Sequence, residues 1–428
     1  MALTARAPGV TTVAPSACKE RDVQIRHLTD DDLLPAATTF VASLGGKPPV
    51  DVERFRQYWD VPASLGAFDT DGMLLGVAAT FASRFTAVGG APLSCYTVPS
   101  VGVRPDRQGM GIGRALLEQQ VVDAVAAGAA VMALNASESG IYGRYGYGPT
   151  SAWQTIELGL RGLQFRAGAP RAMPGSITEL AIEEAAQQLP ALHARCFGRW
   201  GGELERPAGV WWAQLRPRPG TSLPTTYAGL RDGSGALVAA VAFTVEQAFD
   251  DIAFANVLEV VDLFGIDDRS EAVLARWLCE RALAGTVKAE RWNPRSVLGM
   301  LLADGRMLRT TMAADAVWLR VLDVPAVMAA RPTMGVGTVC VRVTDAMVAS
   351  NDRTWAIEGI DGQLRCTPSE AGPDVTVPIE QLAPLLWGFR RASALASAAL
   401  IEVHDQAALA TLDRLLATDS PSWCSVGF

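Results

Sequence analysis

The stretch SVGVRPDRQGMGIGRALL, residues Ser100–Leu117, decides how the rest of the chain is interpreted. It opens with alternating apolar residues, which is typical of a β-strand. Pro105 lacks a backbone donor and ends that strand. The segment Arg114–Ala127, rich in Ala, Leu, Glu and Gln, predicts a helix, and Gly128 stands where its C′ residue would be. The stretch therefore predicts a strand, a glycine turn and a helix.

The glycine turn carries Gln108, Gly111 and Gly113 in the spacing Q-x-x-G-x-G. Glycines at a helix N-terminus leave backbone N–H groups bare, and the helix dipole favours an anion there, so a diphosphate fits. No Gly-Lys-Ser/Thr follows, which excludes a Walker A loop, and the G-x-G-x-x-G dinucleotide fingerprint is absent. The alternative is a glycine-rich turn without a ligand.

The turn resembles motif A of the GCN5-related N-acetyltransferases (GNAT), which holds the pyrophosphate of acetyl-CoA. A second resemblance lies at Ser139–Gly148, SGIYGRYGYG. In this superfamily a tyrosine on a short helix, four residues before a Gly-aromatic pair, points at the thioester sulfur; the spacing here selects Tyr142, followed by Gly146 and Tyr147. A phenol with a pKa of about 10 can protonate the departing thiolate. The alternative is that Tyr142 is a core tyrosine.

Composition excludes several other classes of protein. The chain has 428 residues, 49% hydrophobic and 19% charged, enough for two to four packed domains. Its formal net charge of −8 argues against a nucleic-acid surface, and no apolar run approaches the roughly 18 residues that span a bilayer. Seven scattered cysteines without a C-x-x-C and three distant histidines predict no disulfide framework, no metal site and a cytoplasmic location. Residues 1–22 are expected to be a disordered tail.

The strands and helices predicted around the glycine turn occur in an order that is repeated once further along the chain and then changes. The equivalent of the glycine turn is GIDDRSE at Gly265–Glu271, where Asp267, Asp268 and Glu271 would repel a pyrophosphate. We therefore predict an α/β (α+β) fold with a catalytic GNAT domain at residues 23–170 and a degenerate GNAT-like domain at 171–317. A domain resembling sterol carrier protein follows at 318–428, with a helix over Leu322–Ala330.

This organisation resembles the Eis (enhanced intracellular survival) family over nearly the whole chain after residue 22. The resemblance implies an acetyl-CoA-dependent N-acetyltransferase that modifies a primary amine of a small amine or polyamine, including aminoglycosides, and that assembles as a hexamer. It implies Tyr142 as general acid and the terminal carboxylate of Phe428 as base or amine anchor. It places the residues that contact acetyl-CoA at Val101, Val103, Arg107, Gln108, Gly109, Gly111, Gly113 and Arg114.

One departure concerns the acceptor. Aminoglycoside-acetylating members carry an acidic residue immediately before the terminal phenylalanine, where this chain has Gly427. A smaller or less charged amine is therefore also plausible. The run Asp30–Asp32 is interpreted as a charged helix cap or as replacement charge. Phe40, Tyr58 and Trp59 are expected either to line the acceptor pocket or to belong to the helix core.

Two further readings compete with catalysis. The chain could be a non-catalytic protein that binds acyl-CoA or lipid, or an assembly protein with an idle site. The combination of the glycine turn and Tyr142 favours the enzyme, because only catalysis needs an acid beyond a diphosphate turn.

Overall fold

The computed structural model describes residues 23–47, 49–216, 223–419 and 421–427, and these residues build three sheets. The tail at 1–22 and Phe428 lie outside the described residues. Two sheets have seven strands and one has five, with helices packed against them, as expected for a mixed α/β protein. None of the described helices combines the length and apolar character needed to cross a membrane.

The first region follows the order predicted from the sequence. Its strands are β1 (Gln24–His27), β2 (Leu65–Phe68), β3 (Leu74–Thr86), β4 (Pro92–Val103), β5 (Val131–Asn135) and β6 (Tyr147–Pro149). Its helices are α1 (Leu33–Ser43), α2 (Val52–Tyr58), α3 (Ile112–Ala126) and α4 (Ser139–Tyr142).

The second region repeats that order after an extra strand. Its strands are β7 (Ala152–Gly159), β8 (Ile177–Leu180), β9 (Thr226–Arg231), β10 (Leu237–Glu246), β11 (Asn256–Gly265), β12 (Ala284–Trp292) and β13 (Leu308–Asp315). Its helices are α5 (Ile182–Cys196), α6 (Ala208–Gln214), α7 (Asp268–Cys279) and α8 (Leu298–Leu301).

The third region begins with a strand that the sequence analysis did not identify. Its strands are β14 (Val317–Val321), β15 (Gly337–Thr344), β16 (Thr354–Ile360), β17 (Gln363–Pro368), β18 (Val375–Pro378) and β19 (Glu402–Val403). Its helices are α9 (Val324–Ala329), α10 (Ile379–Leu386), α11 (Ala392–Ser397) and α12 (Gln406–Leu415). The predicted helix over Leu322–Ala330 begins two residues later than expected, because Asp323 caps it by accepting from the Ala326 amide.

Two strands pair outside the domains to which the predicted boundaries assign them. The first sheet has the order β1-β2-β3-β4-β5-β14-β6, so β14 lies between two strands of the catalytic domain. The second has the order β13-β7-β12-β11-β10-β9-β8, so β7 belongs to it, although 23–170 was predicted as one domain. The third has the order β17-β16-β15-β18-β19. Backbone pairing therefore ties the third region to the first sheet through β14, and it places β7 of the predicted first domain in the second sheet.

The same irregularity occurs in both seven-stranded sheets. The register of β3 and β4 shifts between Ala79 and Phe81, and β4 pairs with β5 only as far as Thr97. The register of β10 and β11 shifts between Ala242 and Phe243, and β11 pairs with β12 only as far as Val260. A bulge bends a strand locally, so each pair of parallel strands diverges beyond it. We call the two openings the first and second clefts.

The third region shares its core with the first sheet. One buried cluster contains side chains from β3, β5 and β14 together with those of the five-stranded sheet and its helices. Trp387, fully buried, packs its ring against Phe85 and donates to the Thr86 carbonyl at 2.9 Å. Arg320 and Asp345 form an ion pair with 0% and 1% of their side chains exposed, in which Nη2 of Arg320 donates to both carboxylate oxygens. The five-stranded domain is therefore an integral part of the fold.

Candidate active site

In the glycine turn that precedes α3, no described residue accepts a hydrogen bond from the amides of Gly109, Gly111 or Gly113. Gly109 has φ +80° and Gly111, the N-cap of α3, has φ +83°, a conformation that favours glycine. A Cβ built at Gly109 would meet no atom within 4 Å, so the space over the turn is free. Beside the turn, the buried Nε of Arg107 has no hydrogen-bond partner, although it lies 3.7 Å from the exposed carboxylate of Asp106. Bare amides and an unsatisfied guanidinium donor fit a diphosphate.

The first cleft exposes the backbone of β4 just before this turn. Val101–Val103 pair with β3 on one side, but on the other side no strand among the described residues continues the pairing beyond Thr97. Unpaired backbone donors and acceptors need a partner. An extended amide-containing chain such as pantetheine fits this edge, which supports the sequence-based placement of Val101 and Val103.

Tyr142 is the last residue of α4 and is buried next to β4. Its side chain packs in one cluster with Val98 of β4 and with Tyr147, whose ring centroid is 6.1 Å away. The residue is only 8% exposed, and burial raises the pKa of its phenol above the usual value, although a hydrogen bond with Ser137 opposes this shift. The phenol is therefore protonated at neutral pH, as a proton donor must be.

Gly146 is needed for two reasons in the Gly-aromatic pair that follows Tyr142. Its φ of +84° is left-handed, and a Cβ there would lie 2.6 Å from Nε of the buried Arg320. Tyr147 is fully buried, and its hydroxyl donates to the Met132 sulfur at 3.6 Å. Tyr147 is therefore a core residue, as the sequence analysis expected.

The equivalent turn in the second region is closed by its own side chains. Asp267 accepts from the Ser270 amide at 2.6 Å, which caps α7, and Glu271 accepts from the Gly265 amide at 3.1 Å. Arg199 pairs with Glu271 at 2.6 Å and with Asp268 at 2.9 Å. The acids expected to repel a diphosphate instead occupy the amides that would bind it, and a nearby arginine neutralises them.

A cavity of about 580 Å³ lies where the two clefts face each other. We call it the acceptor pocket. Pro99 and Ser100 line it from the first cleft; Val261, Asp262, Glu290 and Arg291 line it from the second. Helices α1, α2 and α6 and the chain segment before residue 428 complete its wall with Phe40, Arg54, Phe55, Tyr58, Val210, Trp211, Ser425 and Gly427, among others.

A buried polar network fixes the segment that ends at Gly427. The Ser425 amide and hydroxyl donate to the Glu203 carboxylate at 3.2 and 2.6 Å, and His193 Nε2 lies 3.3 Å from the same carboxylate. Arg206, with 0% of its side chain exposed, donates to Ser425 Oγ and to Asp262, both at 2.5 Å. Burial opposes ionisation of Glu203, but His193, Arg206 and Ser425 outweigh it and hold its pKa below the usual value.

Comparison with known proteins agrees with this geometry. Models of GNAT acetyltransferase domains match residues 24–150 and 202–321, and a sterol carrier protein domain matches 324–425. The chain is 31% identical to N-acetyltransferase Eis of Mycobacterium tuberculosis over 360 residues, 81% of this chain and 84% of that protein. It is 30% identical to an uncharacterised N-acetyltransferase of Streptomyces avermitilis over 380 residues, covering 86% and 89%.

This chain belongs to the Eis family of N-acetyltransferases. Solved structures agree on the fold: Eis1 of Mycobacterium abscessus superposes with a TM-score of 0.85 at 24% identity, covering 95% of this chain and 100% of that one. A GCN5-related N-acetyltransferase of Anabaena variabilis gives 0.82 at 15% identity, also over 95% and 100%. Two GNAT domains and a sterol-carrier-like domain were therefore predicted correctly. The GNAT fold generally uses acetyl-CoA as acetyl donor. No group of three or more His, Cys, Asp or Glu among the described residues could hold a metal ion.

In this Eis-family chain, the acidic residues Asp30–Asp32 do not line the acceptor pocket. Asp32 forms a capping box with Thr29 and pairs with Arg26 at 2.7 Å, and the hydrogen bond from Arg26 lowers its pKa to about 2. Asp30 pairs with Arg56 at 3.0 Å. These contacts support the helix-cap interpretation of the run.

The aromatic residues of the first two helices divide between pocket and core. Phe40 and Tyr58 line the acceptor pocket. Trp59 is 4% exposed, and its indole N–H donates to Ser100 Oγ at 3.2 Å, so it supports the pocket wall from behind.

Several residues of the site carried no signal in the sequence. Glu203, Arg206, Asp262 and Ser425 belong to no motif and come together only through the tertiary fold. Glu290 and Arg291 follow the last pair between β11 and β12, a position that depends on register. The register shifts that open the two clefts resemble each other, but the periodicity of apolar residues does not locate either of them.

Proposed function

We propose that this N-acetyltransferase moves the acetyl group of acetyl-CoA directly to a primary amine bound in the acceptor pocket. One observation carries the proposal: strand β4 leads into the glycine turn with one edge unpaired after Thr97, Tyr142 packs in one cluster with Val98 of that strand, and Pro99 and Ser100 of the same strand line the acceptor pocket. Arg107, Gln108, Gly109, Gly111, Gly113 and Arg114 would surround the diphosphate.

The proposed reaction needs one base and one acid. The neutral amine nitrogen attacks the thioester carbonyl carbon, the C–S bond breaks, and the departing thiolate takes the proton of Tyr142. The amine loses its proton as the C–N bond forms, when it has become acidic. Phe428 keeps the role that the resemblance implies, base or amine anchor; the firm attachment of Ser425 and the position of Gly427 on the pocket wall support it.

The residue before the C-terminal position bears on the choice of acceptor. An acidic residue at position 427 would need the Arg291 guanidinium to move, since a Cβ there would lie 2.4 Å from it. This crowding gives no support to a polycationic aminoglycoside as the preferred acceptor. A hexamer and a cytoplasmic location remain predictions from the family resemblance.

The test is amine-dependent release of free CoA thiol from acetyl-CoA, with the product identified by the added mass of one acetyl group. Tyr142→Phe should lower kcat by about 100-fold, within the range for loss of a general acid, and leave acetyl-CoA binding unchanged. Tyr147→Phe is the matched control, because its hydroxyl only contacts the Met132 sulfur. Full turnover in folded Tyr142→Phe would remove the acid role. No CoA release with any amine would remove the function.

A further inference from the structure

The charged side chains of the acceptor pocket are not equivalent. Asp262 is engaged by Arg206, which approaches it with two nitrogens at 2.5 and 3.3 Å. Its negative charge is therefore balanced inside the protein before any acceptor binds. The other charged side chains on the wall, among the residues that the structure describes, are Arg54, Glu290 and Arg291.

Arg54 faces the pocket without a counter-ion. Within the part of the chain that the structure describes, no carboxylate forms an ion pair with its guanidinium, and only its backbone amide is bonded, to Asp51 at 3.1 Å. Arg56, two residues later on the same helix, faces away and pairs with Asp30 and Glu53. A half-buried, uncompensated guanidinium is a strong site for an anion.

Tyr58 adds a second donor next to Arg54. It lies one helical turn further along α2, lines the pocket, and its hydroxyl has no hydrogen-bond partner among the described residues. Burial raises its pKa, although the charges of Arg54 and Arg291, which line the same pocket, act to lower it. The phenol is protonated and can donate to an anion.

Glu290 supplies the opposite charge from the second cleft. It forms no ion pair with any described lysine or arginine, although Lys288 and Arg309 on neighbouring positions both pair with Glu157. The pocket therefore offers an uncompensated cation on α2 and an uncompensated anion on β12. Aromatic and aliphatic side chains, including Phe40, Phe55, Trp211 and Tyr227, form much of the wall between them.

We propose that the acceptor is a zwitterion: a primary amine on an apolar body that also carries a carboxylate or another anionic group. Arg54 and the Tyr58 hydroxyl bind the anionic group, and Glu290 attracts the ammonium end. The ammonium releases one proton to solvent to give the neutral amine that attacks, and the second proton leaves as the C–N bond forms. A polycation is disfavoured because one of its charges would approach Arg54. This inference rests on the proposed function and specifies its acceptor.

The test compares amines that share one scaffold and differ in charge. Benzylamine, 4-(aminomethyl)benzoate and 1,4-bis(aminomethyl)benzene present the same amine with a neutral, anionic or cationic para position; phenylalanine and phenethylamine repeat the comparison with the carboxylate next to the amine. We expect kcat/KM for an anionic member to exceed that of its neutral and cationic partners by about tenfold or more, the contribution of one hydrogen-bonded charge. 4-(Aminomethyl)phenylphosphonate distinguishes a phosphate-like group from a carboxylate.

Two variants connect the preference to the pocket. Arg54→Gln should bring the ratio of the anionic to the neutral substrate close to one, and Arg54→Glu should reverse the preference toward the diamine. Arg56→Gln, on the outer face of α2, is the matched control and should keep the wild-type ratio. Calorimetric binding of acetyl-CoA to each variant checks that the fold and the first cleft are intact.

The outcomes separate the inference from the function beneath it. Acetylation of these amines without preference for the anionic members, or a preference that survives Arg54→Gln, overturns the inference and leaves the N-acetyltransferase proposal standing. A wild-type protein that binds acetyl-CoA but acetylates no amine of any charge overturns both.

Discussion

The two turns that follow β4 and β11 occupy equivalent places in two copies of one fold, yet they have opposite properties. The first turn has Gly109 and Gly111 in left-handed conformations and leaves the amides of α3 bare. In the second, Asp267 caps α7, Glu271 accepts from the Gly265 amide, and Arg199 neutralises the acids. A helix N-terminus binds an anion only while its donors are free, so the second copy has replaced a ligand by its own side chains.

The two clefts are more alike in backbone structure than the two turns are. Both strand pairs diverge after a bulge, but the second cleft contributes Asp262, Glu290 and Arg291 to the acceptor pocket and, through Arg206 and Glu203, anchors Ser425. In the second domain, side chains therefore fill the turn that would hold a diphosphate, whereas its cleft lines the acceptor pocket.

Making the first turn resemble the second should have the largest effect. Gly111→Asp places a carboxylate at the N-cap of α3, as Asp267 stands at that of α7, and we expect the acetyl-CoA dissociation constant to rise about 100-fold. Calorimetry measures this change, and wild-type protein should saturate at one acetyl-CoA per chain. Gly128→Asp is the matched control, because Gly128 also has a positive φ (+74°) but lies at the other end of α3. Unchanged acetyl-CoA affinity in folded Gly111→Asp would contradict the role given to the first turn. Saturation of the wild-type protein near two acetyl-CoA per chain would contradict the closure of the second turn.

Breaking the anchor of the second domain should have an intermediate effect. Glu203→Gln removes the charge that holds Ser425, so we expect kcat to fall about tenfold while acetyl-CoA affinity stays constant. Steady-state kinetics with acetyl-CoA and a fixed amine distinguish a change in kcat from a change in acetyl-CoA affinity. Glu205→Gln, two residues from Glu203, is the control, since the Glu205 carboxylate forms an exposed ion pair with Arg84. Equal kcat in Glu203→Gln and wild type would show that the segment is held without this carboxylate.

The smallest effect concerns stability of the second turn. Burial raises the pKa of Glu271 to about 7, so the folded protein keeps a proton that the unfolded chain releases above its lower pKa. This contribution to stability is present at low pH and is lost as pH rises through 7. Relative to wild type, Glu271→Gln should therefore raise Tm by about 2–4 °C at pH 8 and by less at pH 5. Asp268→Asn, which alters the exposed partner of Arg199, is the control, and its change in Tm should not depend on pH. If the change in Tm caused by Glu271→Gln were the same at pH 5 and pH 8, the raised pKa of Glu271 would be contradicted.

The sequence by itself determined the local units of this protein. The strand, turn and helix around Gly111, the short helix of Tyr142 and the acids at Asp267–Glu271 are each set by residues within one or two turns of chain, through propensity, capping and left-handed glycines. Family resemblance then supplied the fold of the whole chain and its N-acetyltransferase activity.

Only the tertiary structure decided what lies between those units. It placed β14 between β5 and β6, although Val317 follows Asn135 by a whole domain in sequence, and it brought Arg54, Glu290 and Ser425 to one pocket. Pairing register and the packing of distant surfaces depend on contacts between residues far apart in the chain. Periodicity reports which face of an element is apolar; it does not report which other element covers that face.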